Sequence, residues 1–337
     1  MLKRSFLLSL IFIFVMATAF IGCSKQTEEK GNTEETKTLE PVKVMLDWVP
    51  NTNHTGLYVA KAKGWYEEQG LDVEIIQPAE GGTAQLIASG QAEFGISYQE
   101  EVTYARANQL PVVSIAAIIQ HNTSGFASPK GKNIVSPKDF EGKKYGGWGS
   151  PIEKAVIQSI MEKDGADVEK VEFVSVGATD FFTVTERDVD FEWIYYGWTG
   201  IEAELRNFPI NYIEVREIAP ELDFYTPVII VNEQYIEEHS DVIERFMEAT
   251  TKGYEFAISH PEEAAQDLLD QIPGMNSELV KRSQIWLSEK YQDDAEQWGV
   301  QKEQVWHNYA KWMTDHQLIP EMIDVQKTFT NDFLPKR

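Results

Sequence analysis

Asp47, Trp48, Asn51 and His54 stand close together in the chain and offer, in order, a carboxylate, an aromatic plate, an amide and an imidazole. Such a set suits a flat, polar heterocycle: the ring stacks on the indole and the polar groups meet its edge. A second concentration lies at Asp190–Trp198, where Phe191, Trp193, Tyr195, Tyr196 and Trp198 crowd around Glu192. A carboxylate among aromatic rings must find donors or shift its pKa, and a ligand's exocyclic amine and ring N–H are suitable donors. Gly147-Trp-Gly-Ser150 is a glycine-rich turn running into the capping box Ser150-Pro-Ile-Glu153. The free backbone N–H groups of such a start suit an anion or a carbonyl oxygen. Tyr98, at the end of an apolar run, and Asn122, where the pattern of elements restarts, complete the candidate binding set.

Other chemistries lack their parts. No two of the six histidines fall at the i,i+4 spacing of a helical metal pair, and the single cysteine supports no Cys-based zinc site and no internal disulfide. No G-x-S-x-G elbow and no Walker-type phosphate loop is present, so no catalytic residue, metal or cofactor is assigned. Asp and Glu number 54 against 30 Lys and Arg, a formal charge of −24, which argues against nucleic acid as a partner.

The elements that position these residues alternate in type. Val42–Leu46 alternates as a strand, Pro50–Asn53 turns, and from Thr55 the apolar spacing becomes helical. The corner therefore sits at the carboxyl end of a strand, where open α/β sheets bind ligands. Further strands are expected at Leu71–Ile76, Phe94–Tyr98, Val112–Gln120, Lys143–Gly146, Val171–Val176, Asp190–Trp198 and Tyr225–Asn232, with helices between them. Alternation of this kind predicts parallel sheets covered on both faces, and about 300 residues of body suit two lobes better than one core. Beyond Asp241 the pattern is helical, and Trp286, Trp298, Trp306 and Trp312 read as packing residues.

The first residues differ from the rest. Met1–Arg4 is basic, Ser5–Phe20 is apolar and uncharged, and Gly22 directly precedes Cys23. This is a secretory signal and resembles a bacterial lipoprotein signal, which implies cleavage before Cys23 and lipid, palmitate included, on its thiol. Residues 23–40 are polar and form a tether between the anchor and the body.

Leu46-Asp-Trp-Val-Pro-Asn-Thr-Asn-His-Thr-Gly-Leu-Tyr-Val-Ala60, then Lys63-Gly-Trp-Tyr-Glu-Glu-Gln-Gly-Leu71, Gly95–Tyr98, Gly147–Ser150 and the Glu192 strand resemble the ABC-transporter solute-binding family for thiamine pyrimidine precursors. The resemblance spans residues 41–337. It implies a type II periplasmic-binding-protein fold, two doubly wound lobes joined by a two-strand hinge with crossings near 121–126 and 224–228. Residues 41–122 and 228–337 would then form lobe 1 and residues 123–227 lobe 2. It implies capture of a 4-amino-2-methylpyrimidine, the formylaminomethyl compound foremost, and ABC permease and ATPase subunits as partners at the outer face of the cell membrane. Trp48, Tyr98 or the Tyr195, Tyr196 and Trp198 group would stack on the ring. Glu192 would accept from the amino group, and Asn51, His54 or the Gly147–Ser150 turn would meet the formylamino arm. The family also contains a pyrimidine-making enzyme with a pyridoxal-phosphate lysine, a sacrificial histidine and a cysteine cluster. This chain has Ser97 and Glu101 at the first two positions and no cysteine at Leu222–Tyr225, so transport is expected over synthesis. Another heterocycle or a sulfonate, a pyrimidine-metabolising enzyme and a ligand-sensing lipoprotein are the alternatives.

Overall fold

The alternation at Val42–Leu46 becomes β1 (Glu40–Met45), an inner strand of the first of two five-stranded sheets in the computed structural model, which describes residues 38–77 and 82–336. Cys23, the signal and residues 23–37 of the tether lie outside the described residues. The first sheet also contains β2 (Leu71–Ile76), β3 (Phe94–Ser97), β4 (Val112–Ala117) and β10 (Val228–Asn232), in the order β2-β1-β3-β10-β4. The second contains β5 (Ser124–Pro129), β6 (Lys144–Gly147), β7 (Glu172–Ser175), β8 (Phe191–Tyr195) and β9 (Ile210–Glu214), in the order β7-β6-β8-β5-β9.

Each sheet is parallel except for one strand. β10 runs antiparallel to β3 and β4, and β5 runs antiparallel to β8 and β9. These are the strands by which the chain enters each sheet, after β4 on the way out and after β9 on the way back. Two crossings therefore join the sheets, as expected. Both sheets are covered on two faces. Val42, Val44 and Leu46 pack with Tyr254, Phe246 and Trp298 on one side of the first, while Met45, Val228 and Trp306 pack on the other. Around the second sheet, Phe126, Phe191 and Ile213 face the helix Pro151–Lys163, and Ala127 and Ile194 face Phe181 and Phe182. The helix Glu303–Asp315 serves both: Trp306 joins the first sheet's core, and Tyr309, Trp312 and Met313 the second's.

The helix after the first corner is held against Ser240–Ser259 at unusually short range. A Cβ on Gly253 would lie 2.1 Å from the Gly56 carbonyl oxygen, and one on Gly56 would lie 2.3 Å from the Tyr254 ring. Both glycines are required by this contact, which pins the corner that follows β1.

Two expectations change. β5 and β9 were not predicted; β5 reads Ser-Gly-Phe-Ala-Ser-Pro, a run of small residues without a strand signature. The aromatic strand stops at Tyr195, and Tyr196–Gly200 is a wide helical turn leading into Ile201–Leu205. The four tryptophans of the helical region pack as expected: Trp298, Trp306 and Trp312 are buried, and Trp286, partly buried, lies against the first core and on Tyr196 at 5.6 Å.

Candidate functional site

β1 delivers the first corner at its carboxyl end. Asn51 caps the short turn Thr52–His54, its side-chain oxygen accepting from the Asn53 N–H at 2.9 Å and its amide donating to the Val49 carbonyl at 3.1 Å. His54 is fully buried. Its Nδ1 accepts the Asn51 N–H at 3.2 Å, so the proton sits on Nε2, which donates to Asp47 Oδ1 at 2.7 Å. The side chains of Asn51 and His54 are thus engaged in the corner itself. His54 thereby fixes one oxygen of Asp47, and both side chains are spent on holding the corner. Trp48, released from the strand, is 52% exposed.

Trp48 meets a residue that sequence reasoning passed over. Trp148, in the glycine-rich turn after β6, lies edge-on to it, with ring centroids 5.8 Å apart and planes at 88°. It is 59% exposed, so two exposed indoles, one from each sheet, touch edge to face, and an aromatic slot is offered by their exposed faces beside that contact rather than by a gap between the rings. The turn that carries Trp148 is not an open anion site. Glu153 takes its N–H groups: Trp148 N donates to both carboxylate oxygens at 2.9 and 3.1 Å, and Gly149 N and Ser150 N each donate at 2.8 Å. The Tyr145 hydroxyl adds a further bond at 2.7 Å. Gly147 carries no side chain because a Cβ there would fall 2.3 Å from Glu153 Oε1. The expectation that Gly147 and Ser150 receive a ligand's carbonyl or anion is therefore corrected: the protein's own carboxylate is already there.

The ends of β3 and β8 complete the slot. Tyr98 is 36% exposed, and burial together with Glu101, Glu100, Tyr195 and Asp47 raises its phenol so that it stays a hydrogen-bond donor. Tyr195 is 44% exposed, its hydroxyl 3.4 Å from that of Thr226 on the return crossing. Glu100, also unread in the sequence, is pushed up to about 7 by burial and by the neighbouring Glu101 and Glu153 carboxylates. It is hydrogen-bonded to none of the described residues. The signal that could have found it is the acidic pair Glu100-Glu101, one residue beyond the candidate Tyr98 at the end of a strand.

Glu192 lies on the opposite face of β8 from Tyr195, across Gly146 of β6, where a Cβ would come within 3.1 Å of its Oε1. It is 8% exposed and has no hydrogen-bond partner among the described residues. Burial, with Asp180 nearby, raises it to about 7. A largely buried acceptor without a protein donor is the condition a donor-bearing ligand relieves.

The remaining candidates are engaged elsewhere. Asn122 is fully buried in the hinge: its amide donates to the Leu222 carbonyl at 2.9 Å, and its oxygen accepts from Ser124. Tyr196 donates to Glu204 at 2.8 Å and packs on Tyr212 and Trp286. Trp198 packs with Tyr58, Leu268 and Val280. The positions matched to the lysine and histidine of the pyrimidine-making enzyme are joined to each other, the Ser97 hydroxyl donating to Glu101. Glu101 also accepts the Ala84 N–H at 3.1 Å, closing the turn before the helix Thr83–Ala88. Among the described residues, no cluster of His, Cys, Asp and Glu is arranged to hold a metal. What the structure brings together is two indoles, two tyrosines and the carboxylates of Asp47 and Glu100, with Glu153 behind Trp148; Glu192 stands apart, on the other face of β8 from Tyr195.

Residues 51–264 match the family described as NMT1/THI5 like. The chain is 31% identical over 330 residues to the formylaminopyrimidine-binding protein of Halalkalibacterium halodurans, covering 95% of this chain and 98% of that one. It is 22% identical to the 4-amino-5-hydroxymethyl-2-methylpyrimidine phosphate synthase of Legionella pneumophila, over 87% of this chain and 92% of the other. Among solved structures, the periplasmic aliphatic sulphonate binding protein of Escherichia coli superposes with a TM-score of 0.67 at 12% identity, covering 88% of this chain and 94% of that one. A Candida albicans protein described as exhibiting the generic periplasmic binding protein structural fold superposes with a TM-score of 0.62 at 16% identity, covering 89% and 99%. These likenesses establish the type II periplasmic-binding-protein fold.

Proposed function

The chain belongs to the NMT1/THI5-like family, and from that premise we propose that it is the extracellular solute-binding component of an ABC importer, capturing a thiamine-derived aminopyrimidine for salvage. The ligand is N-formyl-4-amino-5-aminomethyl-2-methylpyrimidine or a close relative. The observation that carries this reading is the pair of exposed indoles, Trp48 and Trp148, that meet edge to face from the two sheets beside the carboxylates of Asp47 and Glu153. Apart from the Tyr195 phenol, the groups whose charges bear on Tyr98 and Glu100 are carboxylates. An aromatic slot with acceptors at its edge selects a flat ring rich in N–H donors. It disfavours a sulfonate, which meets negative charge and no base, although sulfonate binders share the fold.

The pyrimidine enters the slot with its face on Trp48 or Trp148, and its amino group donates to Glu192, with Asp47 or Glu100 as a second acceptor. Tyr98 and Tyr195 supply hydroxyl donors toward the ring nitrogens and the formylamino arm. Binding rather than synthesis is favoured because Ser97 and Glu101 are committed to each other and to the Ala84 N–H, leaving neither as a reactive group. Residues 41–122 with 228–337, and residues 123–227, act as the two lobes that close on the ligand. A lipid on Cys23 holds the protein at the membrane, where the closed pair of lobes is presented to a permease and its ATPase.

The test is tryptophan fluorescence with Trp48→Ala and Trp148→Ala in parallel. Saturable quenching by the formylaminopyrimidine that weakens in each variant supports the slot. A saturable response that survives both substitutions places the ligand elsewhere.

A further inference from the structure

We infer that Glu153 fixes the charge class of the ligand: by filling the backbone donors behind Trp148 with the protein's own carboxylate, it makes the slot accept neutral aminopyrimidines and reject their phosphates and other anions. The inference rests on the reading of the slot given above. The donors are the amides of Trp148, Gly149 and Ser150, converging at 2.8 to 3.1 Å at the start of a thirteen-residue helix. Three converging amides at a helix start would be the best place near the slot for an anionic group. Glu153 is 5% exposed and has a fourth donor in Tyr145, so this carboxylate is built in and not a loose side chain. Gly147 preserves the room it needs.

Two consequences follow. An incoming phosphate or sulfonate finds these amides saturated and meets a carboxylate there, beside that of Glu100. The same carboxylate holds the peptide of Trp148 by both oxygens and thereby sets where the indole wall stands, which makes Glu153 a positioning residue for the neutral ring. Relatives named for making a pyrimidine phosphate handle the charged form, so discrimination between alcohol and phosphate is the property that separates the two tasks.

The experiment titrates the full chain calorimetrically with 4-amino-5-hydroxymethyl-2-methylpyrimidine, with its phosphate monoester and with sulfate, for wild type, Glu153→Gln and Glu153→Ala. Circular dichroism establishes that each variant is folded. Wild type should prefer the alcohol to the phosphate by on the order of a hundredfold. Both variants should reduce that ratio by about tenfold or more. Glu153→Ala should also bind the neutral pyrimidine several-fold more weakly, and excess acetate, filling the vacated place, should restore both its affinity and its ratio. Acetate should leave Glu153→Gln unchanged, because the glutamine still occupies the place.

Folded variants that keep the wild-type ratio overturn the inference, as does a loss of neutral affinity that acetate does not reverse while the ratio stays constant. If no pyrimidine binds wild type yet Glu153→Ala gains saturable sulfate binding, the anion-excluding role stands and the pyrimidine reading fails.

Discussion

Glu192→Gln should stabilise the free protein and weaken its ligand at the same time. Glu192 is 8% exposed, is hydrogen-bonded to none of the described residues, and has its carboxyl raised from the usual 4.5 to about 7 by burial. That rise corresponds to about 3 kcal/mol of unfavourable free energy for the ionised, folded form. Between pH 4.5 and about 7 the folded protein retains a proton that the unfolded chain has released, so this term lowers stability progressively as pH rises and is constant above the folded value. Glutamine has no charge to desolvate. The difference in unfolding free energy between variant and wild type should therefore be smallest near pH 4.5 and grow to at most about 3 kcal/mol by about pH 8. Urea denaturation across that range measures it. Ligand binding should move the other way, because the glutamine forfeits charge-assisted bonds of about 1.5–3 kcal/mol to the ring's amino group, roughly ten- to a hundredfold in Kd. A variant whose stability difference is flat with pH would refute the account of Glu192 as a dry, unpaired carboxylate. A variant with wild-type affinity would remove Glu192 from the site.

Other substitutions probe the remaining parts. Trp148→Ala should weaken pyrimidine binding by roughly tenfold, while Trp148→Phe keeps most of the affinity, as read by calorimetry. His54→Ala should cost about 2–3 kcal/mol in thermal or urea unfolding, because it strands the Asn51 N–H and leaves Asp47 without its donor. His121 bridges the hinge, its Nδ1 2.6 Å from Asp223 and its Nε2 3.3 Å from Asp294, and its pKa is raised chiefly by the bond to Asp223. The stability it adds should be complete below about pH 6.5, amount to about 1 kcal/mol, and fade as pH rises through the raised value; His121→Asn should abolish that pH dependence in denaturation curves.

The corner after β1 was legible because its signals are local: alternation, a Pro-Asn turn, then helical spacing within one short stretch. The two sheets followed from the same alternation, and the crossings followed from where it restarted. β5 escaped because it is made of small residues, and the reason for their size is tertiary: a Cβ on Gly125 would lie 2.4 Å from the Ile213 carbonyl oxygen of β9. The aromatic run at Phe191–Trp198 was read as one strand. Period two holds for Phe191, Trp193 and Tyr195, but Tyr196 and Trp198 turn away into a wide helical turn to pack on Trp286 and on Leu268.

At the site, residue types were read better than their assignments. The capping box at Ser150 and Glu153 was recognised, yet its carboxylate was not followed to the amides it would occupy. Those amides were therefore offered to a ligand, and Trp148, the exposed residue of that turn, was overlooked. Asn51, His54 and Asn122 were proposed for the ligand because polar turn residues look available in sequence. Burial and hydrogen bonding commit all three to backbone geometry instead. Sequence cannot distinguish an asparagine that binds from one that builds, because both require the same donors and acceptors.

The central claim is that the slot takes a neutral, donor-bearing aminopyrimidine. The most direct measurement is a calorimetric titration of the protein with formylaminopyrimidine, 4-amino-5-hydroxymethyl-2-methylpyrimidine and taurine under one set of conditions. The account predicts one-to-one binding of the pyrimidines and no heat from taurine. Saturable taurine binding with no pyrimidine binding would contradict it, leaving the fold in place and removing the roles given to Trp48, Trp148 and Glu192.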